Sequence, residues 1–592
     1  MNIHQVSNEV WGIGNDVLWN RFEKKDWPNI LLPFILLRRL DICWQEEYGK
    51  WSKKKTTQTA VEQAFGTLRF KNDTATEIDA ETGKALDYLL EISKNSPLAT
   101  LPKLKQYVRG FNPEVLEIFQ ALNFFDWIEK LQNKDALQPL LFRICDKSRF
   151  DFTSASASPE LMSEVFEDMI RQFAEQNNKE AGEHYTPRDA VELLVRLLLN
   201  GDIPQDGEEV DFYDPTCGTG GILSMGMKAI KERVAQARRT TPPIVKLFGQ
   251  ELMDLTYGIC KADLLLRRDD WENIKVGDTL KNDLHAGRRF RYQGANPPYG
   301  VAWKMIQKQV EEEAAKGNQG RLPGGTPRVT DGQFLFLQHM VSKMRSKQDG
   351  GGRIAVVLNG SPLFSGDAGS GDSNIRGWLL KNDLVEAIVR LPSELFFNTG
   401  ITTYIWVLSN KKSGKRAGHV YLIDAADMGE RMAKSLGNKR YILSEETIKE
   451  VAGWHQSKEE NAKVMRVPNE AFAYYSVDIK VPVLDEKGEQ KHELKGKKSV
   501  ARFEKDTERV PFTACSAFGT GQLNEEAELQ RSKALALIIE SMRPDEAAAF
   551  SIEQVTIGWE IPFNQLFYKF EAPADPFELG VQLKAALKEI EI

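Results

Sequence analysis

Apolar residues recur three and four apart through "DVLWNRFEKKDWPNILLPFILLRRLDICWQEEY" and again through "PEVLEIFQALNFFDWIEKL". That spacing predicts helices over residues 1–150. The small-residue stretch "SASASPE" (154–160) breaks the pattern and marks a boundary. Beyond it, "AGEHYTPRDAVELLVRLLL" (181–199) reads as a turn followed by an amphipathic helix with Pro187 in its first turn. From about 210 to 410 the texture changes to short apolar runs separated by helix-length segments. The runs "EVDFYD" (209–214), "VKLFGQE" (245–251), "NIKVGD" (273–278), "RYQGAN" (291–296), "GRIAVVLN" (352–359), "LVEAIVRL" (384–391) and "ITTYIWVLSN" (401–410) predict strands. Strands alternating with helices predict an α/β fold built on a mostly parallel sheet with helices on both faces.

Two stretches rich in Gly, Pro and Ser, 314–333 and 364–374, read as loops. The C-terminal tail opens with the charged "DEKGEQKHELKGKKS", continues with the strongly helical "NEEAELQRSKALALIIESM" (524–542), and ends with the amphipathic "PFELGVQLKAALKEIEI". A chain of 592 residues exceeds what one core supports, so several domains are expected. No apolar run reaches the length of a membrane span, and the first twenty residues lack the basic and apolar regions of a secretory leader. Five cysteines without a CxxC pair predict a reducing, cytoplasmic setting and no zinc ribbon. Scattered histidines predict no protein-held catalytic metal. The net charge of −7 changes the picture further, because a chain that held DNA alone would carry a basic excess. Any nucleic-acid role therefore needs a local patch or a partner's surface.

Candidate chemistry gathers at the ends of the predicted strands. In "VDFYDPTCGTGGIL" (210–223) a strand closes at Asp214, a turn follows, and a helix begins near Gly221. Ligands bind at this place in doubly wound sheets, and Gly218, Gly220 and Gly221 would let the backbone approach one closely. The spacing matches neither GxGxxG nor the phosphate-binding GxxxxGK[ST]. Glu251 ends the second strand, where a carboxylate can accept from both hydroxyls of a ribose. Asp278 follows the third, in reach of an adenine or sugar group. Taken singly, Glu251 reads better as a surface glutamate at a strand end, and Asp278 means little. Three acids closing three successive strands form a pattern.

The fourth predicted strand runs into "ANPPYG" (295–300). The sequence D-P-x-x-G-x-G-G, an acid after the second strand and Asn-Pro-Pro-Tyr after the fourth together resemble the amino-methyltransferases that use S-adenosylmethionine. The chemistry suits the residues. A planar exocyclic amine has a delocalised, poorly nucleophilic lone pair. The Asn296 side-chain oxygen and the Pro297 carbonyl would both accept from it, and Pro297 and Pro298 would hold those acceptors rigidly. Tyr299 offers an aromatic face for an extruded base. Cys217, inside the glycine turn, reads as packing, since direct methyl transfer needs no covalent intermediate.

The resemblance is closest to the modification (M) subunits of type I restriction–modification systems, which are DNA adenine-N6 methyltransferases. It is carried also by "GEHYTPRDAVELLV", "CKADLLLR" (260–267), "DGQFLFLQHMVSKM" (331–344), "LPSELFFNTGITTYIWVLSNKK" (391–412) and "DTERVPF" (506–512). It implies cofactor contacts at Glu183, His184, Tyr185, Thr186, Pro187 and Arg188, at Thr219, Gly220 and Gly221, and at Glu251, with base handling at Asn296 through Tyr299. It implies a helical N-terminal domain (1–150) for contact with DNA or a partner, a methyltransferase domain (155–475), and a C-terminal region (476–592) whose helices dock on a specificity (S) subunit. It further implies a restriction (R) subunit, two M per S, and double-stranded DNA as the shared substrate. Gln293 and Gly294 depart from the apolar residues usual in the strand before Asn296. Asn-Pro-Pro-Tyr alone does not separate adenine N6 from cytosine N4, guanine N2 in RNA or a glutamine amide. A scaffold subunit with an inactive site is the alternative of a different kind.

Overall fold

The computed structural model describes residues 3–52, 72, 85–146, 148–153, 155–176, 186–237, 241, 243–267, 269–486, 489–496, 498–542 and 550–568. Glu183, His184 and Tyr185 lie outside the described residues, as does the final amphipathic segment. No helix among the described residues is long and apolar enough to cross a membrane.

The N-terminal region is helical as its periodicity predicts, with helices at Trp27–Ser52, Ala85–Asn95, Pro97–Arg109, Pro113–Ala121, Phe124–Asn133 and Leu137–Ile144. Trp27–Ser52 buries residues around its whole circumference, including Arg38 and Asp41, which pair at 3.0 Å. Tyr107 donates to the same aspartate at 3.0 Å, so the buried carboxylate is held by a charge and a hydroxyl.

The centre is a nine-stranded sheet. Its strands are β1 (Glu209–Asp214), β2 (Ile244–Glu251), β3 (Ile274–Val276), β4 (Tyr292–Ala295), β5 (Arg353–Asn359), β6 (Val385–Arg390), β7 (Thr403–Ser409), β8 (His419–Asp424) and, after the hairpin β9 (Glu430–Leu436) and β10 (Lys439–Ile442), β11 (Val464–Pro468). The spatial order is β11-β8-β6-β7-β5-β4-β1-β2-β3. Only β7 and β11 run antiparallel to their neighbours. All seven strands expected from the apolar runs are present. Near-continuous apolar strands belong in a sheet covered on both faces, and β5 shows how. Ala355 and Val357 join one core, while Ile354, Val356 and Leu358 join a second on the opposite face.

The first core continues into the helices Arg188–Leu198, Gly221–Gln236 and Asp254–Leu266 and into the N-terminal region. Gly258 makes that junction close, since a Cβ there would stand 2.9 Å from the Cβ of Ala121. Glu117 seals it, accepting from Tyr257 at 2.7 Å and from Lys261 at 2.9 Å.

The second core leads to the C-terminal region, where the structure adds to the helical expectation. The helix is present at Glu525–Met542, burying only Leu535 and Ile539. Beside it lies an antiparallel sheet of β12 (Ala473–Pro482), β15 (Phe503–Pro511) and β16 (Ser551–Trp559), with a separate hairpin, β13 (His492–Lys495) and β14 (Lys498–Ala501). A boundary at 475/476 falls inside β12. Trp559 fastens this sheet to the helix Gly371–Lys381. Its carbonyl accepts from Arg376 at 2.7 Å, and its N–H donates to Ser373 at 2.9 Å.

The unusual Gln293–Gly294 pair has a packing role in β4. Gln293 is fully buried and donates to the Met340 carbonyl at 2.9 Å. Gly294 lets the helix Gly221–Gln236 lie directly on the strand, for a Cβ would come within 2.8 Å of the Ile222 Cγ2 methyl and 3.3 Å of Leu194. Gly294→Val should overpack this contact and cost about 1–3 kcal/mol, read as a lower urea midpoint at unchanged slope. An unchanged midpoint would contradict the close helix–strand contact.

Candidate functional site

β4, β1, β2 and β3 are consecutive in the sheet and parallel, so their carboxyl ends share one edge. Asp214, Glu251, Asp278 and Asn296 all stand at that edge because each ends or closely follows one of these strands.

Past β1 the chain turns through Gly218 and Gly220, whose φ values of +53° and +85° suit glycine, into the helix Gly221–Gln236. Gly220 also makes a close approach, since a Cβ would meet the Cys260 Sγ at 2.7 Å. Around Gly221 there is open space, with nothing within 4 Å of a Cβ position. Gly221, the first residue of a long helix, is exposed, with Thr219 half-buried between the two positive-φ glycines. Cys217 is buried against Gly249. Its hydrogen bond with Cys260, and then burial, push its thiol well above the usual range. The packing reading of this cysteine fits that setting.

Glu251 ties the turn to β2. One carboxylate oxygen accepts from the Gly218 N–H at 2.9 Å, and the other from the Met253 N–H and the Thr256 hydroxyl, each at 3.0 Å. A carboxylate has about four acceptor positions, so roughly one is left for a ligand hydroxyl. Asp214 is buried and accepts from the Thr216 N–H at 2.9 Å. Burial pushes its carboxyl up to about 8, and the charge of Glu251 adds to the effect against the Thr216 hydrogen bonds. Asp278 is half-buried, and its Oδ1 caps its own turn by accepting from the Leu280 and Lys281 N–H groups at 3.0 and 3.2 Å. Part of its acceptor capacity is therefore spent on the backbone.

At the end of β4 the Asn296 amide is held at both ends. Its Nδ2 donates to the Thr186 hydroxyl at 2.9 Å, and its Oδ1 accepts a short hydrogen bond from the Tyr299 hydroxyl. Pro297 is buried and Pro298 exposed, while Tyr299 is half-buried against the first core. Gly300, with φ of +62°, turns the chain away. Tyr299 was expected to offer only its ring, and the structure adds a hydroxyl that covers the Asn296 oxygen. Thr186 and Pro187 lead into the helix Arg188–Leu198, and the Arg188 side chain is exposed. The 186–188 segment and the Asn296–Tyr299 segment, expected to handle different ligands, thus meet through one hydrogen bond.

Sequence reasoning missed a buried polar cluster that braces this corner. Gln333 donates to Asp331 at 2.8 Å and to Asn359, the last residue of β5, at 3.0 Å. The neighbouring Gly332 N–H donates to the Val301 carbonyl at 3.1 Å, just past Tyr299. Only the stretch "DGQF" hinted at it, without naming a role.

Comparison with known proteins agrees with this arrangement. The model of the N-6 DNA Methylase family matches residues 157–485, more than half of the chain. A type I restriction enzyme HindI methylase subunit from Haemophilus influenzae is 28% identical over 304 residues, covering 50% of this chain and 62% of that protein. A type I restriction enzyme MjaIX methylase subunit from Methanocaldococcus jannaschii is 23% identical over 305 residues, covering 51% of this chain and 50% of that one. The chain thus spans about half to three-fifths of the length of these curated relatives. In fold it resembles the type I restriction-modification system methyltransferase subunit from Streptococcus thermophilus, with a TM-score of 0.61 at 21% identity over 80% of this chain and 97% of that one. Since the family match covers more than half of the chain and contains the Thr186 segment, the acid-ended strands and Asn296, the chain belongs to the N-6 DNA methylase family.

Proposed function

We propose that this chain transfers a methyl group from S-adenosylmethionine to N6 of an adenine flipped out of double-stranded DNA, as the methylation subunit of a type I restriction–modification complex. The observation that carries the reading is the Asn296 amide, fixed beside a buried Pro297 at the same sheet edge as the glycine turn and Glu251. The relatives named as methylase subunits of type I restriction enzymes favour membership of such a complex, and the proposal includes a specificity subunit, a restriction subunit and two copies of this chain per specificity subunit. The N-terminal helices would then contact DNA or a partner, and the C-terminal region would dock on the specificity subunit. A cytoplasmic setting suits five buried, free cysteines.

The residues present fit the cofactor. Glu251 keeps an acceptor position for a ribose, Gly221 at the start of a helix has open space beside it, and the buried Asp214 suits a cationic neighbour. Thr186 to Arg188 and Asp278 would complete the surround. When bound, S-adenosylmethionine supplies an electrophilic methyl group on a sulfonium. The chain's own work is at the amine. Asn296 Oδ1 and the Pro297 carbonyl would accept one hydrogen bond each from N6, drawing it from planarity and returning its lone pair to nitrogen. With Nδ2 engaged by the Thr186 hydroxyl, Oδ1 is the end of the amide that would face the base. The Tyr299 hydroxyl leaves Oδ1 as the base enters, and its ring then becomes available for stacking.

In the complex with the co-encoded specificity subunit, Asn296→Ala should lower methyl transfer to duplex adenine at least about 100-fold while cofactor binding persists. Wild-type-like transfer by the variant would overturn the role of Asn296. A second expectation follows from Asp214. Its carboxyl titrates near 8 in the free site, so it is protonated at pH 7. A cationic ligand favours the ionised form, so binding at pH 7 releases a proton, and affinity rises toward pH 8 by up to about tenfold per pH unit. Calorimetry in two buffers of different ionisation heat reads that proton directly. Asp214→Asn should abolish it, and a wild-type titration without proton release would contradict the assignment.

A further inference from the structure

The hairpin β9–β10 stands outside the nine-stranded sheet. It follows β8, which is parallel to β6 and so ends at the same carboxyl edge as Asn296. Its turn end is firmly held. The Arg440 N–H donates to the Glu394 carbonyl at 2.8 Å, and the Asn438 N–H donates to the Phe397 carbonyl at 3.0 Å. Lys439 is buried and donates to Asp189 at 2.9 Å and to the Leu395 carbonyl at 2.9 Å. Asp189 also accepts from the Leu443 N–H at 2.9 Å. That aspartate lies three residues past Thr186, the partner of the Asn296 amide, so the hairpin is latched to the segment that orients Asn296.

Away from this turn β9 is largely open to solvent. Met432 and Leu436 are half-buried, but Arg431, Ala433, Lys434, Ser435 and Asn438 are exposed. Arg440 is paired with Glu394 at 2.9 Å, whereas Arg431 and Lys434 make no ion pair among the described residues. Glu430 is the only acid on the two strands. In a chain of net charge −7, two cations without an ion pair among the described residues, exposed on an anchored ribbon at the active edge, stand out.

We propose that the β9–β10 hairpin is a DNA-contacting arm, with Arg431 and Lys434 held against the phosphate backbone of the duplex whose extruded base is received at Asn296. This rests on the reading of the chain as a DNA methyltransferase. The charge argument favours phosphate over a protein surface, and a rigid anchor limits the ordering entropy lost on contact. Such contacts position the duplex without reading its sequence.

The test uses the complex with the co-encoded specificity subunit and a fluorescent duplex, titrated across a salt series for wild type and for the double variant Arg431→Ala/Lys434→Ala. Two lost phosphate contacts should make the slope of log K against log[salt] shallower by about 1.8 and weaken binding about tenfold or more near physiological salt. The rate at saturating DNA and the thermal midpoint should stay as in wild type. An unchanged slope and affinity in an otherwise active complex would overturn the arm. Loss of the specificity subunit from the variant complex, with an unchanged slope, would assign the hairpin to a protein contact and overturn it likewise. A wild-type complex that neither binds nor methylates the duplex would instead overturn the underlying reading.

Discussion

Asn296 carries its amide between two hydroxyls, Thr186 on one side and Tyr299 on the other, and the surrounding structure keeps that amide oriented. A turned amide would offer N–H groups to an amine that needs acceptors; in the structure Nδ2 lies toward Thr186 and Oδ1 toward Tyr299, so the acceptor is presented on the Tyr299 side. A single hydrogen bond contributes only about 0.5–1.5 kcal/mol net. Two bonds on a backbone stiffened by Pro297 and Pro298 hold the amide in place more firmly than either alone. β4 sets the height of this residue, Gly294 allows a helix to press against the strand, and the Gln333–Asn359 cluster braces the chain that leaves it.

The same edge explains why the helical N-terminal region matters to a site it does not enter. Glu117 grips Tyr257 and Lys261 on the helix that begins just after Glu251. That helix also carries Thr256, which binds Glu251, and Cys260, which backs Gly220. Movement of the N-terminal helices would therefore be felt at the acid and at the glycine turn. This is a route by which a partner seated on the N-terminal region would reach the site through packed side chains.

Much of this was legible in the chain because buried parallel strands are written as apolar runs, and their carboxyl ends as an acid or asparagine followed by a turn. Asp214, Glu251 and Asn296 stand where that rule places them. Asp278 follows it only in part, because its carboxylate also caps its own turn. The contact between Thr186 and Asn296 was not legible, since 110 residues separate them and only the fold brings them together. The later strands escaped notice for a different reason. β9 and β15 are almost wholly exposed and carry no apolar signal. β12 does alternate, with Ala473, Tyr475, Val477 and Ile479 turned inward, but its neighbourhood reads as a charged tail.

The central claim is that the fixed amide at the end of β4 serves a DNA adenine. Single-molecule sequencing of genomic DNA from cells expressing the chain, with and without its co-encoded specificity subunit, tests it most directly. The account predicts N6-methyladenine at one defined two-part site, present only when both are expressed. A genome without modified adenine under either condition, or one modified on another base, would contradict it.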